Sequence, residues 1–248
     1  MVAIPRPPAA VTIDCWSTLL TDLDAPGALR HRGAALAAIA ARLGRPIETE
    51  TGMDVLERSW NHHVGEWRGG RVFGPEAASR WCFAELGLPA GPGEVDELAE
   101  AIAMGTLSVG TAPVDGAADA LAALRAAGIP TALICDTGFT PARVVREALR
   151  LHGLSLDHLF FSDEVGVPKP HPTMFLAALA ATGAGPAQAA HIGDLRRTDV
   201  AGARVAGMAS VRFAGVHDDG WLPEDCQPDV EADAVLYRWA DLPELFGL

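Results

Sequence analysis

The chain has 248 residues, 49% of them hydrophobic and 6% aromatic, and 19 Lys and Arg against 32 Asp and Glu give a formal net charge of −13. That length suits one large domain or a core with a modest second unit, and the alanine-rich composition predicts elements packed closely through Ala, Leu and Val. An acidic surface of this size repels phosphate backbones and anionic lipid, which sets nucleic acid and membranes aside as partners.

The opening stretch, MVAIPRPPAAV, is broken by prolines and lacks a long apolar region, so no signal peptide is expected. No uninterrupted apolar run reaches the length of about 18 residues that spans a bilayer. Cys15, Cys82, Cys135 and Cys226 are scattered, with no C-x-x-C pair. They read as reduced thiols in a cytoplasmic protein.

In chain order, residues 11–14 read as a buried strand ending on an acid. Residues 20–111 then give four helical patterns, at 26–43, 48–67, 75–86 and 94–107, and no strand. The second places Met53, Leu56, Trp60, Val64 and Trp67 on one stripe. From residue 115 the rhythm changes. Helices at 115–127, 140–152, 173–181 and 198–206 alternate with strands at 131–135, 159–162, 189–192 and 210–213. Such alternation means right-handed βαβ crossovers and a mostly parallel sheet. The predicted fold is α/β: a doubly wound parallel sheet, a Rossmann-like core of residues 1–20 and 112–248, with residues 21–111 inserted as a helical cap. A cap of this kind closes over bound substrate and excludes water.

Ligands of open α/β sheets bind beyond the carboxyl ends of the strands. There this chain carries Asp14-Cys15-Trp16-Ser17-Thr18, then Cys135-Asp136-Thr137-Gly138, then Gly166-Val167-Pro168-Lys169-Pro170, then Gly193-Asp194 with Asp199 five residues on. Acids gathered with one lysine repel each other unless a cation or ligand joins them.

An apolar strand, D-x-x-x-T, a distant lysine and GD-x-x-x-x-D, in that order, resemble the haloacid dehalogenase superfamily of aspartate-nucleophile hydrolases. The resemblance covers residues 8–20 and 112–215. It implies Asp14 as nucleophile, Thr18 as its support, and Lys169 as the charge that steadies Asp14 and the substrate anion. It also implies Mg²⁺ at Asp194 and Asp199, directly or through water, together with Asp14 and the Trp16 carbonyl. Ser17, Thr137, Gly138 and Lys169 are the expected substrate contacts. A carboxylate nucleophile splits a hard displacement into two steps through an aspartyl phosphate, and phosphoryl transfer then needs mainly positioning and neutralised oxygens. The expected partner is a small phosphorylated metabolite. Oligomeric state stays open, since no exposed heptad or strand edge stands out.

Two positions depart from the superfamily's phosphatases. Trp16 stands where they carry a second aspartate that protonates the leaving group, and losing such a group costs about 10²–10⁴ in rate. Cys135 replaces a serine or threonine and reads as a small buried residue. Trp16 also suits a second reading, cleavage of a carbon–halogen bond, because halide leaves without a proton. The pair Asp194 and Asp199 counts against it, since the superfamily's dehalogenases generally work without metal. A third reading is a non-catalytic relative that binds a ligand or partner. Within the cap, His63, Trp67 or Arg68 could face substrate, but the favoured reading takes Trp60 and Trp67 as core and His62 and His63 as a solvated flank; Arg196 or Arg197 could likewise reach an anion, but the favoured reading leaves both solvated.

Overall fold

The computed structural model describes residues 2–89, 91–217 and 230–248. Strand β1 (Ala10–Ile13) leads through β2 (Leu20–Asp22) into four helices, α1 (Ala25–Arg42), α2 (Thr49–Arg68), α3 (Pro75–Glu85) and α4 (Pro92–Val109), and the chain returns through β3 (Thr111–Pro113). Then follow α5 (Ala117–Ala126), β4 (Thr131–Cys135), α6 (Ala142–Leu151), β5 (His158–Phe161), α7 (Ser162–Val165) and α8 (Pro172–Thr182). The chain ends with β6 (Ala189–Gly193), α9 (Ala201–Val205), β7 (Ala209–Phe213), β8 (Ala234–Leu236) and α10 (Leu242–Phe246).

Six strands form one sheet in the order β5-β4-β1-β6-β7-β8, parallel throughout. Every residue of β1, β4, β6 and β7 is buried, as expected of strands covered on both faces. The fold is therefore the doubly wound α/β arrangement read from the sequence. Strand order reverses at β1, which has β4 on one side and β6 on the other. The crevice for a ligand opens at such a switch point, beyond the carboxyl end of β1.

Two short pieces escaped the sequence reading. The stretch 20–111, read as strandless, contains β2 and the first residue of β3, which pair as a two-stranded ribbon. Strand β8 adds a sixth strand to the sheet. Each of these strands has three residues, too few to raise an alternation signal.

Residues group into two compact units, 1–21, 112–136 and 149–248 in one, 22–111 and 137–148 in the other. The second unit is helical, and its core includes Leu36, Ile39, Leu56, Cys82, Leu98 and also Phe139. Segment 137–148 thus packs with the inserted helices although it follows β4. Helix α2 buries Gly52, Val55, Leu56, Ser59, His63 and Trp67, a stripe rotated from the predicted one. The cause is small residues. A Cβ on Gly52 would lie 2.5 Å from the Gly33 carbonyl oxygen, so α1 and α2 touch backbone to backbone where no apolar side chain advertises it. Trp60 is consequently 40% exposed, and His63, at 8%, lies in the interior instead of on a flank.

Among the described residues no helix is long and apolar enough to cross a membrane. Cys15, Cys82 and Cys135 are free thiols, all buried, whereas Cys226 lies outside the described residues.

Candidate active site

Asp14 follows β1 directly. Its N–H donates to Ile192 O at 2.8 Å, so the ladder with β6 holds the backbone up to the acid. The chain then folds back on itself: Leu19 N and Leu20 N both donate to Cys15 O, at 2.8 and 2.9 Å, and Ser17 N donates to Leu20 O at 2.8 Å. Ser17 takes φ 57°, a left-handed conformation uncommon outside glycine. This turn returns Thr18 Oγ1 toward Asp14 Oδ2, at 3.4 Å. Trp239, near the carboxyl terminus, donates its indole N–H to Thr18 O at 2.9 Å.

Lys169 reaches the same place from the loop after α7. Its backbone N–H donates to Asp136 Oδ1 at 2.9 Å, which ties that loop to the end of β4. Its Nζ donates to Asp14 Oδ1 at 2.5 Å and to Asp199 Oδ1 at 2.6 Å, with the lysine only 2% exposed. Asp199 sits in a wide π-type turn, Arg196–Val200, after β6. Its Oδ2 accepts from Leu195 N at 3.0 Å and Thr198 Oγ1 at 3.2 Å, and its Oδ1 also meets His191 Nε2 at 3.0 Å. The motif glycine makes this possible, because a Cβ on Gly193 would fall 2.3 Å from Asp199 Cγ.

Asp14, Asp194 and Asp199 are all buried, and one oxygen of each lies within 4.8 Å of the others. Burial, opposed by Lys169 and reinforced by Asp199, lifts Asp14 to about 7. Burial and the neighbouring Asp14 and Asp199 hold Asp194 well above the carboxylate range. Burial acts the same way on Asp199, but there Lys169 and the His191 hydrogen bond outweigh it and keep the carboxyl below its ordinary value. Burial would strip Lys169 of its proton, yet Asp14, Asp199 and Asp136 raise it well above the ordinary lysine value. Three hard-oxygen ligands against one lysine would, all ionised together, leave a surplus of buried negative charge, and the raised Asp14 and Asp194 register that cost. That donor set fits a hard divalent cation such as Mg²⁺.

Asp14, Thr18, Lys169, Asp194 and Asp199 are thus brought together. Trp16 is half-buried and its backbone bridges to Leu20. Thr137 and Gly138 belong to the segment grouped with the helical unit, where a Cβ added to Gly138, at φ +50°, would lie 3.0 Å from His63 Nε2. The Cys135 thiol is hydrogen-bonded with Cys15, which with burial raises it well above the ordinary thiol value; that suits a small buried residue. Arg196, read as solvated, instead pairs with Glu231 at 2.7 Å. Sequence reasoning missed His191 and Trp239. A histidine inside the otherwise apolar run AAHIG, next to the GD motif, was the available signal for the first; nothing local marks the second.

The haloacid dehalogenase-like hydrolase model matches residues 8–207, most of the chain. The chain belongs to that family. This haloacid dehalogenase-like hydrolase is 30% identical over 234 residues to a phosphoglycolate phosphatase of Pectobacterium atrosepticum, covering 92% of each protein. It is 42% identical over 101 residues to a phosphoserine phosphatase of Thermus thermophilus, covering 39% of this chain and 37% of that one. The chain spans half or less of the length of several curated phosphatases it matches. A 2-haloacid dehalogenase of Pseudomonas syringae pv. Tomato has the same fold, with a TM-score of 0.65, 23% identity and coverage of 100% and 99%.

Proposed function

We propose that this chain is a cytoplasmic Mg²⁺-dependent phosphatase acting on a small phosphorylated metabolite, with residues 1–20 and 112–248 as catalytic core and 21–111 as the cap that sets specificity. The observation that carries this reading is the buried Asp14 carboxylate, gripped by Lys169 at 2.5 Å and gathered with Asp194 and Asp199 within 4.8 Å.

Asp14 attacks phosphorus, the bond to the leaving oxygen breaks, and an aspartyl phosphate forms. Water then attacks the same phosphorus, releases inorganic phosphate and restores the carboxylate. Lys169 neutralises a phosphoryl oxygen, while Thr18, through Oδ2, keeps the nucleophile aimed. Ser17, Thr137 and Gly138 supply substrate contacts from the strand-end loops. Asp14, Asp194, Asp199 and the Trp16 carbonyl would hold Mg²⁺, which when bound supplies further neutralisation of the transferring group. Trp16 cannot protonate the departing oxygen. Acyl phosphates and diphosphates, whose leaving groups are stable anions, therefore suit the site best.

The phosphatase names of the relatives at 30% and 42% identity support the reaction class. Trp16 is the one feature that favours the rival, carbon–halogen cleavage through an aspartyl ester. Phosphate release from acyl, aryl and alkyl phosphates, with and without Mg²⁺, separates the two. We expect Mg²⁺-dependent release, fastest from acyl phosphate and absent in Asp14→Asn. Halide release from 2-chloropropionate that ignores a chelator would overturn the proposal.

A further inference from the structure

His191 occupies the middle of β6 and is 1% exposed. A polar ring in a buried strand is costly unless both nitrogens are partnered. Both are. Nδ1 lies 2.8 Å from Thr12 Oγ1, and Thr12 stands directly opposite His191 in the β1–β6 register. Nε2 lies 3.0 Å from Asp199 Oδ1. A carboxylate only accepts, so Nε2 carries the proton, and Nδ1 of the neutral ring accepts from the Thr12 hydroxyl. Phe175 meets the ring edge-on, with centroids 5.0 Å apart at 77°, which fixes its plane.

We infer that His191 is a positioning residue for the reaction: it holds Asp199 Oδ1 in place so that Lys169 is directed onto Asp14. The same oxygen that accepts from His191 accepts from Lys169 at 2.6 Å, and Lys169 in turn reaches Asp14 at 2.5 Å. A continuous run of hydrogen bonds therefore leaves β1 at Thr12, crosses to β6, and returns to the nucleophile just past the end of β1. Oδ2 of Asp199 is already engaged by Leu195 N and Thr198 Oγ1, so Nε2–H is the donor that orients the other oxygen alongside the lysine. Histidine suits this place because its ring is rigid and offers one donor and one acceptor on opposite edges.

This inference rests on the proposed reading of the site, and its test keeps the two apart. His191→Phe retains a ring against Phe175 and loses the N–H, whereas His191→Gln retains an amide N–H of similar reach. Partners of this kind typically contribute about 10–100-fold in activity or metal affinity. For His191→Phe we expect kcat on an aryl phosphate to fall by about that factor, with little change in KM, and Mg²⁺ affinity measured calorimetrically to weaken about tenfold. His191→Gln should recover most of both. Thr12→Val, which removes the hydroxyl that sets the ring, carries the same test if His191→Phe does not fold. A folded His191→Phe, or in its place Thr12→Val, within about twofold of wild type on both readouts overturns the inference, as does a glutamine variant no better than phenylalanine. Wild-type protein that binds Mg²⁺ but releases no phosphate would sink the phosphatase reading, while the calorimetric titrations would still decide His191.

Discussion

The indole nitrogen of Trp239 donates to the backbone carbonyl of Thr18 at 2.9 Å, although 221 residues separate them in sequence. Trp239 is 1% exposed and stacks on Phe213 with ring centroids 5.0 Å apart. It braces the turn that carries Thr18 back to Asp14. Trp239→Phe keeps most of the stacking and leaves the carbonyl without this donor. We expect a stability loss of about 1–3 kcal/mol by urea denaturation, with reduced phosphate release in the folded protein. An unchanged urea midpoint would show that the hydrogen bond contributes nothing.

Trp16→Asp addresses the missing proton donor. General acid–base catalysis is worth about 10²–10⁴ in rate. If proton transfer limits turnover, alkyl-phosphate hydrolysis should rise toward that range while acyl-phosphate hydrolysis changes far less. Comparing kcat on the two substrate classes decides the matter, and an equal change in both would contradict our account of Trp16.

Gly52→Ala sets helix propensity against packing. Alanine is favoured over glycine inside a helix by about 1 kcal/mol. Here its Cβ would sit 2.5 Å from a backbone oxygen and 3.1 Å from the Gly33 Cα, atoms that no rotamer change can move aside. Forcing an extra methyl into a tight contact costs about 1–3 kcal/mol, so clash should win and the helical unit should lose stability. A more stable variant in urea titration would mean that the two helices separate at little cost.

His63 gives the helical unit a pH dependence. Burial depresses its pKa from 6.5 to about 4, although the hydrogen bond to the Phe73 carbonyl pulls the other way. Between those values the unfolded chain takes up a proton that the folded chain refuses. Stability should therefore fall as pH drops from 6.5 toward 4 and level off below. The full effect is on the order of 3 kcal/mol. His63→Asn keeps an amide donor for Phe73 and does not titrate. The wild-type-minus-variant difference in unfolding free energy should shrink across this window, and a constant difference would refute the assignment.

Much of this molecule is legible in its sequence. The alternation after residue 115 is long and periodic, and the strand-end motifs carry their chemistry in fixed spacing. Asp14, Lys169, Asp194 and Asp199 could therefore be grouped before any coordinates. What escaped has physical causes. Gly33 and Gly52 mediate the α1–α2 contact without side chains, so apolar periodicity found Leu56 and Trp67 but placed the buried stripe of α2 rotated toward the exposed Trp60. His191 looks like an interruption in a buried strand until Thr12 and Asp199 are placed beside its two nitrogens. Trp239 acts across the whole length of the chain, and Phe139 packs with helices encoded before it. Contacts of that kind leave no local pattern.

The ribbon of β2 and β3 gives the helical insert a single doorway. Leu23 N donates to Gly110 O at 3.1 Å, so the chain enters and leaves the insert side by side. A module whose ends meet can be exchanged for one of another shape without re-threading the sheet, much as domains are inserted where chain ends lie close together. The replacement must bring its own cover for Phe139, which otherwise loses the apolar surroundings that bury it. On the proposed reading, choice of substrate and the bond-breaking step would then diverge at different rates, one by trading cassettes and the other by leaving the strand ends alone.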